Sequence, residues 1–225
     1  MSDSTPPSPS GPLSEAGFDL ATVDRLLSTT RAVRRRLDYA RPVPRDVLLD
    51  CIRLSQQAPT GTNAQHWRWI VIDDPAKKQA LGEIYARGLP MLDESAKTAR
   101  DAQTADVYRH ARALAERMGE TPVLVVPCLE GRLDEPDSLV MATTWYGSIY
   151  PAVWSFQLAL RSRGLGSTFT TMHLAFEEDA RAVLGLPDGV VQTALLPVAY
   201  TLGTDFKPTE RPAPETITHW NGWNA

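Results

Sequence analysis

The sequence predicts a layered domain of α/β or α+β class, because segments of helical periodicity alternate along it with short β-branched apolar runs. Two further observations agree. The 225 residues are 43% hydrophobic and 22% charged, ordinary for a globular chain able to bury one sizeable core. No internal repeat breaks that pattern. The periodicity does not give strand order.

Asp19 to Ser28 carries Leu20, Val23, Leu26 and Leu27 at helical spacing. A polar, arginine-rich segment follows, Thr29 to Arg41. Pro44 then opens a second helix, since proline suits a first turn, with Val47, Leu48, Cys51, Ile52, Leu54 and Ser55 on one face. That helix ends at Ala58-Pro59, and TGTNAQ leads into a strand, WRWIVID. Pro75 to Leu89 is a further amphipathic helix. Met91 to Glu120 is charged and alanine-rich with a thin apolar stripe, which suggests an exposed helical excursion or lid. VLVVPCL, Val123 to Leu129, is a buried strand. Ser138 to Arg163 is a long apolar helix, kinked or divided at Pro151 and stopped by Gly164-Leu165-Gly166. Ser167 to Met172 is β-prone, Glu177 to Leu186 helical, and Val191 to Thr201 the last core strand. Trp220 and Trp223 end a polar, proline-spaced tail, where indoles need something to pack against.

The net charge of −4 argues against a natural polyanion binder, so any phosphate site must be built locally. Two cysteines, Cys51 and Cys128, sit inside apolar patterns and read as buried small hydrophobes in a reducing compartment. The opening MSDSTPPSPSG has no basic start followed by an apolar core, so residues 1–15 read as a disordered tail rather than a signal peptide. No apolar run approaches the roughly 20 residues that span a bilayer, and a cytoplasmic protein without membrane partners is expected.

Three segments can carry chemistry. TTRAVRRR places Arg31, Arg34, Arg35 and Arg36 just beyond a helix. Such a run can be a solvated charged segment. It can also be an anion site, because guanidinium groups bind phosphate bidentately. Without an aromatic platform or a reading module, a small phosphorylated cofactor fits better than nucleic acid. In APTGTNAQHW, Pro59 and Gly61 turn the backbone tightly, leaving amides free for a ligand, while Thr60, Asn63 and Gln65 add groups that donate and accept. A plain helix-to-strand loop explains that stretch equally well. In GLGSTFTT, Gly164 and Gly166 allow close backbone approach and the threonines offer hydroxyls, although threonine also simply favours strands. GxGxxG, P-loop and GxSxG patterns are absent, and the four histidines lack metal-ligand spacing, so no metal is expected. His66 reads as a packed or solvent-facing residue before a substrate contact.

Taken in order, TTRAVRRRLDYARPVPRDVL, APTGTNAQHWRWIVI, and GLGSTFTT followed by a helix and LGLPDG resemble the nitroreductase family of flavoproteins. SIYPAVWSFQLALRSRGLG and THWNGW resemble an actinobacterial-type branch of it. The resemblance runs from about Asp19 to Trp223. It implies an α+β fold, a central mainly antiparallel sheet flanked by helices, and a homodimer with FMN at the subunit interface. By that match Arg31 and the backbone at Ala32 face the FMN phosphate and ribityl chain, Arg34 reaches the pyrimidine edge, and Arg35 belongs to the same set. Pro59, Thr60, Gly61 and Asn63, with Gln65 nearby, serve the FMN held mainly by the other subunit. Thr168, Phe169 and Thr170 lie beside the ring, and Arg211 with Lys207 completes the phosphate clamp. The chain departs from the family at Ala32, where serine is frequent, at His66, which replaces a proline, and at Trp154-Ser155, where Gln-Asn is frequent.

The activity so implied is two-stage: NAD(P)H reduces FMN, leaves, and an acceptor such as a nitroaromatic or quinone is then reduced in the same pocket. FMN carries the chemistry, so no catalytic side chain is expected. The alternative is a non-catalytic flavin- or phosphate-ligand binding module whose lid region engages a protein partner.

Overall fold

The structure is a computed structural model that describes residues 14–133 and 138–223. The expected tail, residues 1–15, lies almost wholly outside that range. The chain divides into a large unit, Arg31–Thr204, and a small one made of Met1–Thr30 with Asp205–Ala225.

The large unit is built on one antiparallel sheet. Its strands are β1 (Trp67–Ile72), β2 (Val123–Glu130), β3 (Leu165–Ser167), β4 (Val190–Gln192) and β5 (Leu196–Tyr200), in the order β1-β2-β5-β3 with β4 also on β2. All four pairings are antiparallel, as the family resemblance implied. β2 is buried along all but its last residue. Because side chains alternate across a strand, Val123, Val125 and Leu129 join one core with Leu48, Cys51, Phe156 and Leu160, while Leu124, Val126 and Cys128 enter the opposite face. Helices α2 (Arg45–Ser55) and α7 (Tyr150–Ser162) pack together over the first face. Burial pushes the Cys128 thiol up to about 12 and raises that of Cys51, so both are inert packing groups.

The apolar stretch at 138–163 is divided, into α6 (Leu139–Gly147) and α7, with Pro151 in the first turn of α7 where its missing N–H costs nothing. Gly164, at φ +76°, turns the chain out of α7. The expected last strand, 191–201, is two short ones. Pro127 offers β4 and β5 a carbonyl but no N–H, Thr193 donates both its N–H and its hydroxyl to that carbonyl, and the ladder breaks there. The β-prone stretch 167–172 is corrected more strongly. β3 ends at Ser167, Thr170 makes a single bridge to Leu195, and Met172–Phe176 coils into a 3₁₀ turn. Threonine's strand preference yields here to the neighbours that supply hydrogen bonds.

Helix α3 (Pro75–Ala86), capped by Asp74, ends three residues before the expected Leu89, where Gly88 leads into α4 (Leu89–Lys97). Helix α5 (Ala102–Glu116) follows, capped by Asp101. Within 91–120, Leu114, Ala115 and Met118 are buried core, and the exposed portion is α4 with the first turns of α5. Helix α8 (Glu177–Leu184) completes the unit. The small unit contains α1 (Leu20–Thr29), and in its C-terminal segment His219 stacks on Trp223 at 4.4 Å while Trp220 and Trp223 lie exposed. No helix among the described residues is long and apolar enough to cross a membrane.

Candidate functional site

The arginine segment is held as an added edge of the sheet. Val33 N–H donates to Ser167 O at 2.9 Å, Asp38 N–H to Tyr200 O at 2.8 Å, and Leu202 N–H to Arg36 O at 2.8 Å. Val33 and Leu37 point inward and are buried, so their neighbours are forced outward. Gly166 makes the approach possible: a Cβ there would stand 2.9 Å from Val33 Cγ2 and 2.7 Å from Thr201 Cγ2.

Many arginines elsewhere are paired with carboxylates, as in Arg45–Asp73, Arg112–Asp93 and Arg181–Glu177. Arg31, Arg34 and Arg35 meet no carboxylate among the described residues. Burial draws the half-buried Arg34 guanidinium below its ordinary range, Arg31 adds to that by repulsion, and Tyr85 partly offsets it. The group remains charged. A locus of unbalanced positive charge in an acidic protein calls for an anion.

Beside it, Thr168 is wholly buried and its hydroxyl has no partner among the described residues. Such orphaned hydroxyls are uncommon and mark a missing partner. Thr170 donates its hydroxyl to Leu195 O at 2.6 Å and meets the buried Tyr85 hydroxyl. Burial raises the Tyr85 phenol, with Thr170 and Arg34 pulling it back. Phe169 is half exposed and stands edge-on to Tyr150 at 5.5 Å, which stacks on Tyr146 at 5.6 Å. Thus Arg34, Tyr85 and Thr170 are brought together, with Val33 fixed to Ser167. A planar, phosphorylated ligand fits this set: guanidiniums for the phosphate and an aromatic flank.

The loop Pro59–Gln65 is anchored elsewhere. Gly61 N–H donates to Ser148 Oγ at 2.9 Å, Ser148 Oγ donates to Thr144 O, and the Trp67 indole donates to Ser148 O at 2.6 Å. A side chain at Gly61 would lie 2.4 Å from Thr144 Cγ2. Four of the loop's amides are spent within the chain: Asn63 and Ala64 in a 3₁₀ turn, Gly61 on Ser148 Oγ and Gln65 on Thr60 Oγ1; those of Thr60 and Thr62 make no bond among the described residues. Outward it presents side chains. Asn63 and Gln65 are exposed and bonded to each other at 2.9 Å. Thr62, Asn63 and Gln65 adopt φ of 53°, 56° and 54°, an unusual density of left-handed non-glycine backbone. Strain of this kind gathers at binding sites. Lys207 and Arg211 are exposed residues of the small unit. His66 is exposed, 6.3 Å from the Trp145 ring.

Sequence reasoning missed Tyr85, Ser148, Tyr146 and Tyr150. Tyr85 looks like one more apolar position of an amphipathic helix, and Ser148 and Tyr150 fall in the SIYPAVW stretch, which carries family resemblance without a role for either side chain. Only the break at Pro151 signalled that α6 and α7 meet at a functional corner.

An antiparallel sheet edged by arginines that meet no carboxylate among the described residues, with a buried hydroxyl nearby, is an arrangement that fits a small phosphorylated aromatic ligand. The family can be stated. The sequence model of the nitroreductase family matches residues 27–200, and the chain belongs to that family of flavin-dependent oxidoreductases. An NADH dehydrogenase of Thermus thermophilus is 28% identical over 210 residues, spanning 89% of this chain and 98% of the relative. Among solved structures, an iodotyrosine deiodinase bound to FMN and 3-iodo-L-tyrosine superposes with a TM-score of 0.68 at 22% identity, over 89% of this chain and all of that one. An FMN- and NADPH-dependent nitroreductase of Sphigopyxis sp. does so at 0.65 and 21%, over 89% and 99%. These two likenesses speak for the fold.

Proposed function

We propose that this chain is an FMN-dependent oxidoreductase that takes reducing equivalents from NAD(P)H and passes them to conjugated acceptors such as nitroaromatics or quinones. The observation that carries the reading is the set of arginines, Arg31, Arg34 and Arg35, that meet no carboxylate among the described residues, on a segment whose Val33 packs against Gly166 and is bonded to Ser167, next in sequence to the buried Thr168. The naming of FMN in two structural relatives and of NADH or NADPH in two relatives supports the choice of cofactor and donor.

Arg31, with the backbone of Ala32, binds the phosphate and ribityl region, Arg34 lies at the pyrimidine edge, and Arg35 belongs to the same cofactor-binding set. Lys207 and Arg211 contribute further positive charge to the phosphate. Thr168, Phe169 and Thr170 orient the ring, Phe169 by its face and Thr168 by its hydroxyl. FMN, when bound, supplies hydride acceptance and onward delivery, the two half-reactions alternating in one pocket. Arg34 favours negative charge at the edge it faces by direct attraction. Pro59, Thr60, Gly61, Asn63 and Gln65 serve the site of a second copy of the chain, which makes the working unit a homodimer.

The resemblance to the family's phosphate-binding and loop motifs supports these assignments residue by residue. Releasing the cofactor from purified protein by heat and weighing it tests the core of the reading. FMN at one per chain is expected; FAD, or no flavin, overturns it.

A further inference from the structure

We propose that Ser148 is a positioning residue of the cofactor site: its hydroxyl holds the Pro59–Gln65 loop in the shape that presents Asn63 and Gln65 to the flavin of a second copy. The proposal rests on the reading of that loop as one that serves the cofactor, and it concerns a side chain to which no motif gives a role.

Ser148 stands at the corner where α6 ends and α7 begins. Its backbone is fixed without help from its hydroxyl. The N–H donates to Trp145 O at 3.1 Å, and the carbonyl accepts from the indole of the buried Trp67, at the start of β1, at 2.6 Å. The hydroxyl donates to Thr144 O at 2.7 Å, which leaves its lone pairs for the loop, and it accepts from Gly61 N–H at 2.9 Å. Loop and helix lie so close here that a Cβ on Gly61 would collide with Thr144 Cγ2.

The loop's other hydrogen bonds close on itself. Asn63 N–H donates to Thr60 O at 3.2 Å, Ala64 N–H to Gly61 O at 3.1 Å, and Gln65 N–H to Thr60 Oγ1 at 3.4 Å. The Gln65 side-chain amide donates to Asn63 Oδ1 at 2.9 Å. Among the described residues, the bond from Gly61 to Ser148 is the one hydrogen bond that ties Pro59–Gln65 to the rest of the chain. Directly after that tie come Thr62, Asn63 and Gln65 at φ of 53°, 56° and 54°. Side-chain-bearing residues keep this left-handed backbone only where their surroundings impose it. Without the Ser148 hydroxyl, Gly61 N–H turns to water and the strained run is free to relax. Asn63 and Gln65, both exposed, then lose their fixed geometry. One neutral hydrogen bond shifts such an equilibrium by about two- to tenfold.

Peptide-resolved hydrogen exchange on the full chain freed of cofactor reads the tie, and FMN affinity across a cycle of Ser148→Ala and Asn63→Ala reads the positioning. In Ser148→Ala the amides of residues 61–65 are expected to exchange about two- to tenfold faster, while those of β2 and α7 keep the parent's rates. FMN is expected to bind Ser148→Ala weaker by a similar factor, and the double variant to bind it as Ser148→Ala does, because a released loop no longer presents Asn63. A serine that merely supports the fold gives losses that multiply in the double variant. That result overturns the proposal, as does loop exchange unchanged by Ser148→Ala. If Ser148→Ala does not fold, Ser148→Cys, whose thiol is a weak acceptor at the same place, is read by the same criteria. If the parent binds no FMN, or Asn63→Ala binds it as tightly as the parent, the assignment of the loop to the flavin is overturned, and the exchange rates alone uphold or overturn the tie.

Discussion

Replacing Gly166 with alanine introduces a Cβ at 2.7 Å from Thr201 Cγ2, 2.9 Å from Val33 Cγ2 and 3.0 Å from Val33 Cβ, all inside normal contact. Val33 is buried and its N–H is tied to Ser167 O, so it has no room to retreat without lifting the segment that carries Arg31, Arg34 and Arg35. Overpacking of this order costs about 1–3 kcal/mol. For a chain of this size that lowers the melting temperature by about 2–10 °C. The same displacement loosens the charge-assisted contacts to the phosphate, and losing even part of one such bond weakens FMN by about tenfold. Thermal unfolding and flavin fluorescence titration measure the two effects. Thr201→Ser removes the nearest obstructing methyl and leaves an oxygen able to bond Gly164 O. The double variant is therefore expected to recover part of both losses, a coupling that a mutant cycle exposes. A Gly166→Ala protein that melts within about one degree of the parent and holds FMN equally well would refute the packing argument.

Arg31→Ala and Arg211→Ala are each expected to weaken FMN by about ten- to a hundredfold, the worth of a charge-assisted hydrogen bond, and unchanged flavin affinity in both would show the phosphate to lie elsewhere. Leu139, Val140 and Met141 on α6 are 81%, 73% and 48% exposed, whereas the apolar face of α7 packs within its own chain. In the proposed homodimer α6 is the expected contact face, and Leu139→Glu with Val140→Lys should shift sedimentation toward monomer; an unaltered dimer would exclude α6 from the interface. His173 is fully buried, and burial alone lowers its imidazole to about 4. Because the folded pKa lies below the unfolded one, near 6.5, its contribution is present above about pH 6.5 and is lost as pH falls toward 4, by about 3 kcal/mol. Denaturant midpoints of the parent should fall across that window more steeply than those of His173→Leu, and equal slopes would place the acid sensitivity in other groups. Exchanging α4, Leu89–Lys97, for a short linker should leave FMN bound and reorder the nitroaromatic and quinone acceptors, since α4 buries no residue and shares with α5 a cleft of about 250 Å³. Loss of flavin, or an unchanged acceptor order, would make α4 a structural element.

The order of helices and strands, the buried character of β2 and the break near Pro151 were all legible in the sequence. Each depends on local pattern: period 3.6, a continuous apolar run, a residue that cannot donate. The arginine run, the Pro59–Gln65 loop and the Gly164–Thr171 segment were equally visible as candidates, because charge, turn chemistry and glycine spacing are properties of neighbours in the chain. What sequence could not supply was pairing across distance. That Ser167 binds Val33, that Leu195 reaches Thr170 and so ends a strand threonines seemed to favour, and that Pro127 splits β4 from β5 are decided by which N–H finds which carbonyl. The same holds for charge. Sequence named Thr168 and the arginines as candidates, but only the fold shows that the Thr168 hydroxyl is buried without a partner among the described residues and that carboxylates such as Asp73 and Asp93 pair with other arginines. Local sequence sets conformational preference and side-chain chemistry, whereas burial and partnership belong to the packed chain, because desolvation and hydrogen-bond satisfaction depend on residues a hundred positions away.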